Sequence, residues 1–284
     1  MGATTIEWTE FTWNPFVGCS IVSAGCTNCY AMRMARRLEE GFGVAAYQGT
    51  TQKSKAGPVW TGKTNRSSDQ VMRRPLGLRK PTLIFVNSMS DFWNPDADDA
   101  WRAEALDIMW QTPRHEYQVL TKRPQHIRPI MKRMGVAKLP PNFWLGATVE
   151  DHRVVDRIDL LREVEAEVRF LSVEPMTAPL GKVDLTGIHW VITGGESGPG
   201  ARPMKADWVR EVRDQCVAAK VPHFFKQFGR PQNNPLWEEA RAHGEDPVVY
   251  VKTIDPDGKG GSMLDDVYWK EYPRRPGHSL KRAA

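Results

Sequence analysis

Three of the four cysteines in the sequence lie close together near the N-terminus, in the segment NPFVGCSIVSAGCTNCYAMRMARRLEE. Cys19, Cys26 and Cys29 form a Cys-x6-Cys-x2-Cys pattern just before a predicted helix, whereas Cys216 stands alone much later. In a reducing compartment, clustered cysteines bind metal more often than they form disulfides. The spacing therefore predicts a metal site in this loop.

Three kinds of chemistry are compatible with such a loop. Structural zinc takes four tetrahedral ligands, so Cys216 or a histidine would have to complete the set. A reactive or redox cysteine usually has one partner, and here there are two. A [4Fe–4S] cluster on three thiolates leaves one iron open to a small molecule. Cys216 shares a helical stripe with Val209 and Val212, which predicts a packing role for it.

The elements that position the loop are predicted from an alternating pattern. Between residues 81 and 229, six short apolar runs alternate with amphipathic stretches, and one further strand is expected before the cysteines. This alternation predicts parallel β/α units with right-handed crossovers. Each run turns polar where it ends, and in β/α barrels that face contains the active site. The polar ends include Ser90, Asp91, Lys122, Thr148, Glu174, Glu196 and Lys226.

We therefore predict an α/β fold, with a complete or partial parallel β/α (TIM-like) barrel favoured over a doubly wound sheet, and an N-terminal iron–sulfur cluster loop. Residues 1–229 are predicted to form the barrel, with a basic insertion at residues 41–80. Residues 230–284 are predicted to be a C-terminal extension with a short hairpin near the turn DPDGKGG. A carboxylate such as Glu174 needs a partner when buried, and Lys226 or Lys122 is expected to supply it.

The net charge of +5 and the pI near 9.0 favour a polyanionic partner, although a solvated basic loop explains them equally well. Arg66, Arg73, Arg74 and Arg79 of the insertion are expected to line the approach to the barrel mouth if phosphates bind there. The glycine-rich segment after the sixth run either makes a tight turn or brings backbone and Glu196 to a ligand hydroxyl.

The whole pattern, over residues 10–229, resembles the radical SAM superfamily and is most similar to its spore photoproduct lyase branch. It also resembles a phage-associated three-cysteine-motif family of unknown function. Two features differ from the common pattern: six residues separate Cys19 from Cys26 instead of three, and Asn28 replaces an aromatic residue. The positions that carry the resemblance are Cys29-Tyr30-Ala31, Ser90-Asp91, Thr121-Lys122 and Thr148.

The resemblance implies that Cys19, Cys26 and Cys29 hold a [4Fe–4S] cluster whose open iron binds S-adenosylmethionine (SAM). Reductive cleavage of SAM would then release a 5′-deoxyadenosyl radical that abstracts hydrogen from a substrate. It also implies that Lys122 meets the SAM carboxylate and that Thr148 lies near the ribose and carboxylate. The full predicted set of cofactor-binding residues is Tyr30, Ser90, Asp91, Lys122, Thr148, Glu174 and Glu196.

Two functions follow from these features. The first is a radical SAM enzyme acting on nucleic acid or a nucleotide-derived substrate, with an electron donor such as flavodoxin or ferredoxin. The second is a non-enzymatic zinc or iron–sulfur module that binds nucleic acid. The sequence has no secretory signal and no run of about 18 apolar residues, so a cytoplasmic protein without membrane contact is expected.

Overall fold

The structure is a computed structural model, and it describes residues 4–244, 246, 255 and 258–273. Seven strands form one sheet in the order in which they occur along the chain, and all neighbouring pairs are parallel. The strands are β1 (Phe11–Trp13), β2 (Leu83–Val86), β3 (Glu116–Thr121), β4 (Phe143–Thr148), β5 (Val168–Val173), β6 (Trp190–Thr193) and β7 (His223–Phe225).

Strands β1 and β7 are the two edges of this sheet, and no pairing joins them within the described residues. The sheet is therefore an open, partial β/α barrel. This confirms the predicted fold class, and all seven predicted strands are present.

Helices follow most of the strands, as the amphipathic pattern predicts. They are α1 (Tyr30–Glu40), α2 (Asp99–Gln111), α3 (Ile127–Arg133), α4 (Asp156–Arg162), α5 (Ala206–Ala219) and α6 (Pro235–Ala242). Helix α2 begins where Asp98 accepts a hydrogen bond from the backbone N–H of Ala100 at 2.8 Å, a typical N-cap. Within the described helices, none is long and apolar enough to cross a membrane.

Side chains alternate between the two faces of the sheet, because successive residues of a strand point to opposite sides. One set packs under the helices. The other set fills the concave inner face with Trp8, Phe85, Trp144, Phe170, Trp190 and Phe224. The inner face is thus packed with aromatic rings along most of its length. Polar side chains that could meet a ligand are left at the carboxyl ends of the strands.

The predicted basic insertion lies against the β1 side of the barrel. Its hairpin, Thr51–Ser54 with Gly57–Trp60, packs on α1, and Asn65–Arg66 pairs antiparallel with the short strand Phe16–Val17. The chain then forms a short helix at Asp69–Met72 and a 3-10 turn at Arg74–Gly77. The insertion is therefore structured, and it covers the edge of the sheet at β1.

Contacts within the protein limit what two arginines of the insertion can bind. Arg66 forms ion pairs with Asp69 at 2.6 Å and Glu104 at 2.8 Å, so acids within the protein already neutralise its charge. The residue before Arg79 is Leu78, whose carbonyl oxygen accepts a hydrogen bond from Arg114 Nε at 2.9 Å. Arg114 lies just before the start of β3. This contact places Arg79 toward the amino ends of the strands. The expectation that Arg79 lines the mouth is therefore wrong, whereas the expectation for Arg66 stays a prediction.

The C-terminal extension contains the predicted hairpin, formed by Met263–Leu264 and Val267–Tyr268. Its turn is made by Asp265 and Asp266, whose φ angles are 53° and 60°, and not by the segment DPDGKGG, which lies partly outside the described residues. The chain then runs beside β7, where the Phe225 N–H donates to the Trp269 carbonyl at 2.7 Å. The extension thus covers the β7 edge. The division at residue 229 stays a prediction, and the basic tail lies outside the described residues.

Candidate functional site: the cysteine loop and the barrel mouth

The three clustered cysteines lie at the carboxyl ends of the strands, in the loop between the short Phe16–Val17 strand and α1. The start of the loop is fixed by the Gly18 N–H, which donates to the Met89 carbonyl at 3.1 Å. Cys29 occupies the N-cap of α1. Cys26 interacts electrostatically with both Cys19 and Cys29, so the three thiols share one neighbourhood.

The first anchor of this loop is Arg123, two residues after β3. Its Nη1 donates to Cys19 Sγ at 3.5 Å and to Asp91 Oδ2 at 3.0 Å. Its Nη2 donates to the carbonyl and hydroxyl oxygens of Ser20 at 2.9 and 2.7 Å. Both Arg123 and Asp91 are buried. The end of β3 therefore fixes the loop at its first cysteine.

The second anchor is Glu150, two residues after β4, which is 1% exposed. Its carboxylate accepts hydrogen bonds from the Ser23 hydroxyl, the Gly25 N–H at 3.2 Å and Arg157 Nη1 at 2.8 Å. Burial raises its pKa, but Lys122, Ser23 and Arg157 together hold the pKa of Glu150 below its ordinary value. A Cβ on Gly25 would lie 2.9 Å from Glu150 Oε1, so a larger residue would displace the carboxylate.

The third anchor is Glu196, which follows β6 and was predicted to bind a ligand. It accepts hydrogen bonds from Asn28 Nδ2 at 2.9 Å and from the Arg202 guanidinium at 2.9 and 2.6 Å. Burial raises the pKa of Glu196, yet the hydrogen bonds from Arg202 and Asn28 bring it below its usual range. Asn28, at the position where the family resemblance expects an aromatic ring, therefore ties the loop to β6. A ligand contact by Glu196 stays a prediction.

Asp91 has partners for both of its oxygens. Oδ1 accepts from the Thr121 hydroxyl at 2.7 Å and from the Trp93 N–H at 3.0 Å. Oδ2 accepts from the Lys122 N–H and from Arg123, each at 3.0 Å. These four bonds tie the carboxylate to the ends of β2 and β3. Contact between Asp91 and a cofactor stays a prediction.

Ser90 and Tyr30 lie on the same side of the mouth as the cysteine loop. The Ser90 hydroxyl donates to the Phe16 carbonyl at 2.9 Å, which connects the end of β2 to the start of the loop. The Tyr30 hydroxyl donates to the Ser88 carbonyl at 2.8 Å, while 54% of the residue stays exposed. Tyr30 therefore presents a ring surface beside the cysteines, whereas Ser90 is engaged with the backbone.

Lys122 and Thr148 face the interior of the mouth. Within the described residues, the Lys122 ammonium forms no hydrogen bond or ion pair, although it interacts electrostatically with Cys29 and Glu150. Thr148 is the last residue of β4 and is 1% exposed. Lys122 thus carries a charge whose hydrogen-bonding capacity is not used by a described neighbouring side chain, and contact of Lys122 or Thr148 with a cofactor stays a prediction.

On the far side of the mouth, Glu174 after β5 pairs with Lys226 after β7, at 3.1 Å between Oε1 and Nζ. This confirms the prediction that Glu174 has a lysine partner. Gly194 lies between them at the end of β6, and a Cβ there would come within 2.4 Å of Glu174 Oε1. Glycine is therefore required for the carboxylate to reach across the sheet.

The cluster predicted on Cys19, Cys26 and Cys29 stays a prediction, and the structure bears only on the alternative of a single metal ion. No group of three or more His, Cys, Asp or Glu side chains in the described part of the chain is arranged to hold one ion. Cys216 is buried on α5 with Val209 and Val212, which confirms its packing role and removes it from a four-cysteine zinc site. The thiolates of a cluster bind separate irons, so they do not have to meet at one point as the ligands of a single ion do. Burial raises the pKa of Cys19 to about 11, so metal binding there must release a proton.

Sequence reasoning did not single out Arg123 or Glu150 as site residues. Each stands within two residues of a predicted cofactor ligand, Lys122 or Thr148. The signal that could have found them is the length of the Cys-x6-Cys segment. A longer loop has more backbone groups to satisfy, and the polar residues just beyond the strand ends are the nearest donors and acceptors.

The fold and the site together define an open parallel β/α barrel with a three-cysteine loop bound to its carboxyl-terminal face. The chain belongs to the family described as protein of unknown function (DUF5131), whose profile matches residues 3–273. No curated protein matches the chain.

Two solved structures are similar to the chain. One is spore photoproduct lyase complexed with dinucleoside spore photoproduct, and the other is a mutant of spore photoproduct lyase with bound AdoMet and dinucleoside spore photoproduct. Each match has 11% sequence identity and a TM-score of 0.41, and it covers 76% of this chain and 63% of the other. The chain thus spans less than two thirds of those proteins. At this level the likeness assigns neither activity nor ligand to this chain.

Proposed function

We propose that this protein is a radical SAM enzyme, with a [4Fe–4S] cluster on Cys19, Cys26 and Cys29 and SAM at the open iron. One observation carries the proposal: three cysteines share a loop that three separate strand ends fix at the carboxyl-terminal face of a parallel barrel. When bound, the cluster and SAM would supply one-electron chemistry that removes hydrogen from an unactivated carbon. The protein positions these groups and excludes water.

Lys122 is the residue that we propose to bind the SAM carboxylate. Its ammonium has no protein acceptor within the described residues, and it interacts electrostatically with the Cys29 thiol, one of the proposed cluster ligands. A charge-assisted hydrogen bond from an ammonium to a carboxylate is short and strong. Tyr30, Thr148, Glu174 and Glu196 are also proposed to contact the cofactor. The Glu174–Lys226 ion pair is further proposed to be available to the substrate.

The substrate that we propose is nucleic acid or a nucleotide-derived molecule. The net charge of +5 supports this proposal, because such substrates carry negative charge. Such a partner would be attracted by the basic surface, and a flavodoxin or ferredoxin would supply the electron. The reducing cytoplasm is the compartment that keeps these thiols available for iron.

The decisive experiment is anaerobic purification followed by iron, sulfide and zinc analysis, with SAM cleavage measured under reduction. We expect about four irons per chain, as the cluster type requires, together with SAM-dependent release of products. Cys216→Ala is the matched control, because it removes a buried thiol that the proposal does not use. A colourless protein with stoichiometric zinc would contradict the proposal and favour the zinc module.

The substrate class is tested separately, by filter binding of single- and double-stranded oligonucleotides at two salt concentrations. Each phosphate contact should contribute about −0.7 to −0.9 to the slope of log K against log salt. Charge reversal at Arg73 and Arg74 should reduce that slope, whereas reversal at Arg66, which Asp69 and Glu104 already neutralise, should change it less. If no oligonucleotide binds at low salt, a small molecule replaces nucleic acid as the proposed substrate.

A further inference from the structure

We infer that Arg123 is a positioning residue that raises the reduction potential of the cluster through a hydrogen bond to Cys19. The inference rests on the proposed function, since it requires a cluster on this loop. It assigns to the end of β3 an electronic role in addition to its contact with the loop backbone.

One nitrogen of the Arg123 guanidinium lies within hydrogen-bonding distance of the Cys19 sulfur. Arg123 is 4% exposed, and its Nη1 lies 3.5 Å from Cys19 Sγ. The same group cannot rotate away easily, because Nη2 is bonded to two oxygens of Ser20 and Nη1 also donates to Asp91. Asp91 is in turn fixed by three further donors. The arginine guanidinium stays charged at any pH at which the protein is folded.

The three thiols differ in this respect. Cys19 receives a charged side-chain donor, Arg123, whereas Cys29 has the uncharged backbone N–H groups of Ala31 and Met32 as donors. Such a donor stabilises the more negative, reduced form of a cluster more than the oxidised form. Hydrogen bonds to the sulfurs, charge and burial are the properties through which a protein sets the potential of an iron–sulfur cluster. Arg123 therefore makes the cluster easier to reduce.

The test is a dye-mediated redox titration of the anaerobic holoprotein, followed by the visible absorption and by the EPR signal of the reduced cluster. Arg123→Met removes the charge and the hydrogen bonds while keeping an unbranched side chain. We expect at least a tenfold shift of the reduction equilibrium toward the oxidised form, equal to about 59 mV for a one-electron couple. Arg123→Lys keeps the positive charge but loses the planar guanidinium with its several donors. The reduction potential of the cluster in this variant should therefore lie between those of Arg123→Met and the wild type.

The matched control is Arg153→Met, which removes one positive charge from the same face of the barrel. Arg153 follows β4, pairs with Asp151 at 2.5 Å and has 57% of its side chain exposed, so it does not act on the sulfur. The reduction potential of the cluster in Arg153→Met should equal that of the wild type. An equal shift in Arg153→Met and Arg123→Met would show a general charge effect and would overturn the inference.

Two further outcomes would also overturn it. The first is Arg123→Met with full iron content and an unchanged potential. The second is loss of iron from both Arg123 variants with unchanged circular dichroism, because Arg123 would then serve only to assemble the loop. A wild-type protein that binds no iron would instead contradict the proposed function. The inference about Arg123 would then also be wrong, because it requires a cluster. The two failures are therefore distinguishable from the wild-type iron content alone.

Discussion

The two sides of the barrel mouth use their charged residues in different ways. On the cysteine side, Arg123, Glu150 and Glu196 are buried and bonded to the loop. On the far side, Glu174 and Lys226 pair across the ends of β5 and β7, with 13% and 27% of their side chains exposed. Buried, loop-bound charges fix a geometry, whereas a partly solvated pair can exchange its partner for a ligand. The mouth thus has one side whose charges are buried and bonded to the cysteine loop, and one side whose ion pair is partly solvated.

The largest effect is expected from the cysteines themselves. Cys19→Ala, Cys26→Ala and Cys29→Ala should each remove the cluster, because a three-thiolate site has no spare ligand in this loop. Cys216→Ala should keep its full iron content, since that thiol is buried on the core-facing side of α5, away from the loop. Iron and sulfide analysis of anaerobic protein measures both. Iron loss in the Cys216 variant would mean that the metal site is not confined to the loop.

The second prediction compares the anchors of the two sides. Glu150→Gln leaves the Arg157 charge buried without its carboxylate, since 7% and 1% of the two side chains are exposed. Breaking a buried pair in this way costs about 3–5 kcal/mol of unfolding free energy. Glu174→Gln breaks a more exposed pair and should cost about 1 kcal/mol or less. Urea unfolding of both variants measures the difference. Equal costs would remove the distinction between the two sides.

The fold could be predicted almost entirely from the sequence, whereas the site could be predicted only in part. Strands such as TLIFV and the acids before α2 are local patterns, and each predicts its element without reference to distant residues. The roles of polar residues at the strand ends depend instead on which neighbour they meet. Glu150 and Glu196 both follow strands and both contact the cysteine loop, yet only Glu196 was predicted as a site residue. Their partners, Ser23 and Asn28, are more than 120 residues away.

The third prediction concerns Lys122, the lysine of the mouth with no acceptor among the described residues. Lys122→Ala should weaken SAM binding by about ten- to a hundredfold, because a hydrogen bond to a charged group contributes about 1.5–3 kcal/mol. The cluster content should stay near wild type, whereas the unfolding free energy should fall slightly, because the Lys122 charge helps to keep the buried Glu150 carboxylate ionised. Equilibrium binding of SAM to the anaerobic holoprotein measures the affinity. Lys226→Ala, on the far side of the mouth, is the matched variant and should have a smaller effect on SAM. An unchanged SAM affinity in Lys122→Ala would contradict its assignment.

The smallest expected effect is on the pH dependence of the unfolding free energy, to which Glu196 on the cysteine side contributes. Despite burial, hydrogen bonds from Arg202 and Asn28 lower the pKa of Glu196 from its value of 4.5. A carboxyl group whose pKa is lower in the folded state stabilises the fold above its unfolded pKa, and that stability is lost as the pH falls through the folded pKa. The difference in unfolding free energy between wild type and Glu196→Gln should therefore be constant above about pH 5 and shrink below about pH 4.3, the ordinary glutamate value. Urea unfolding of both proteins from pH 7 to pH 3 measures this difference. If the difference in unfolding free energy stays constant down to pH 3, the charge of the Glu196 carboxylate does not contribute to stability. The Glu196 side chain would then act only by packing between β6 and the cysteine loop.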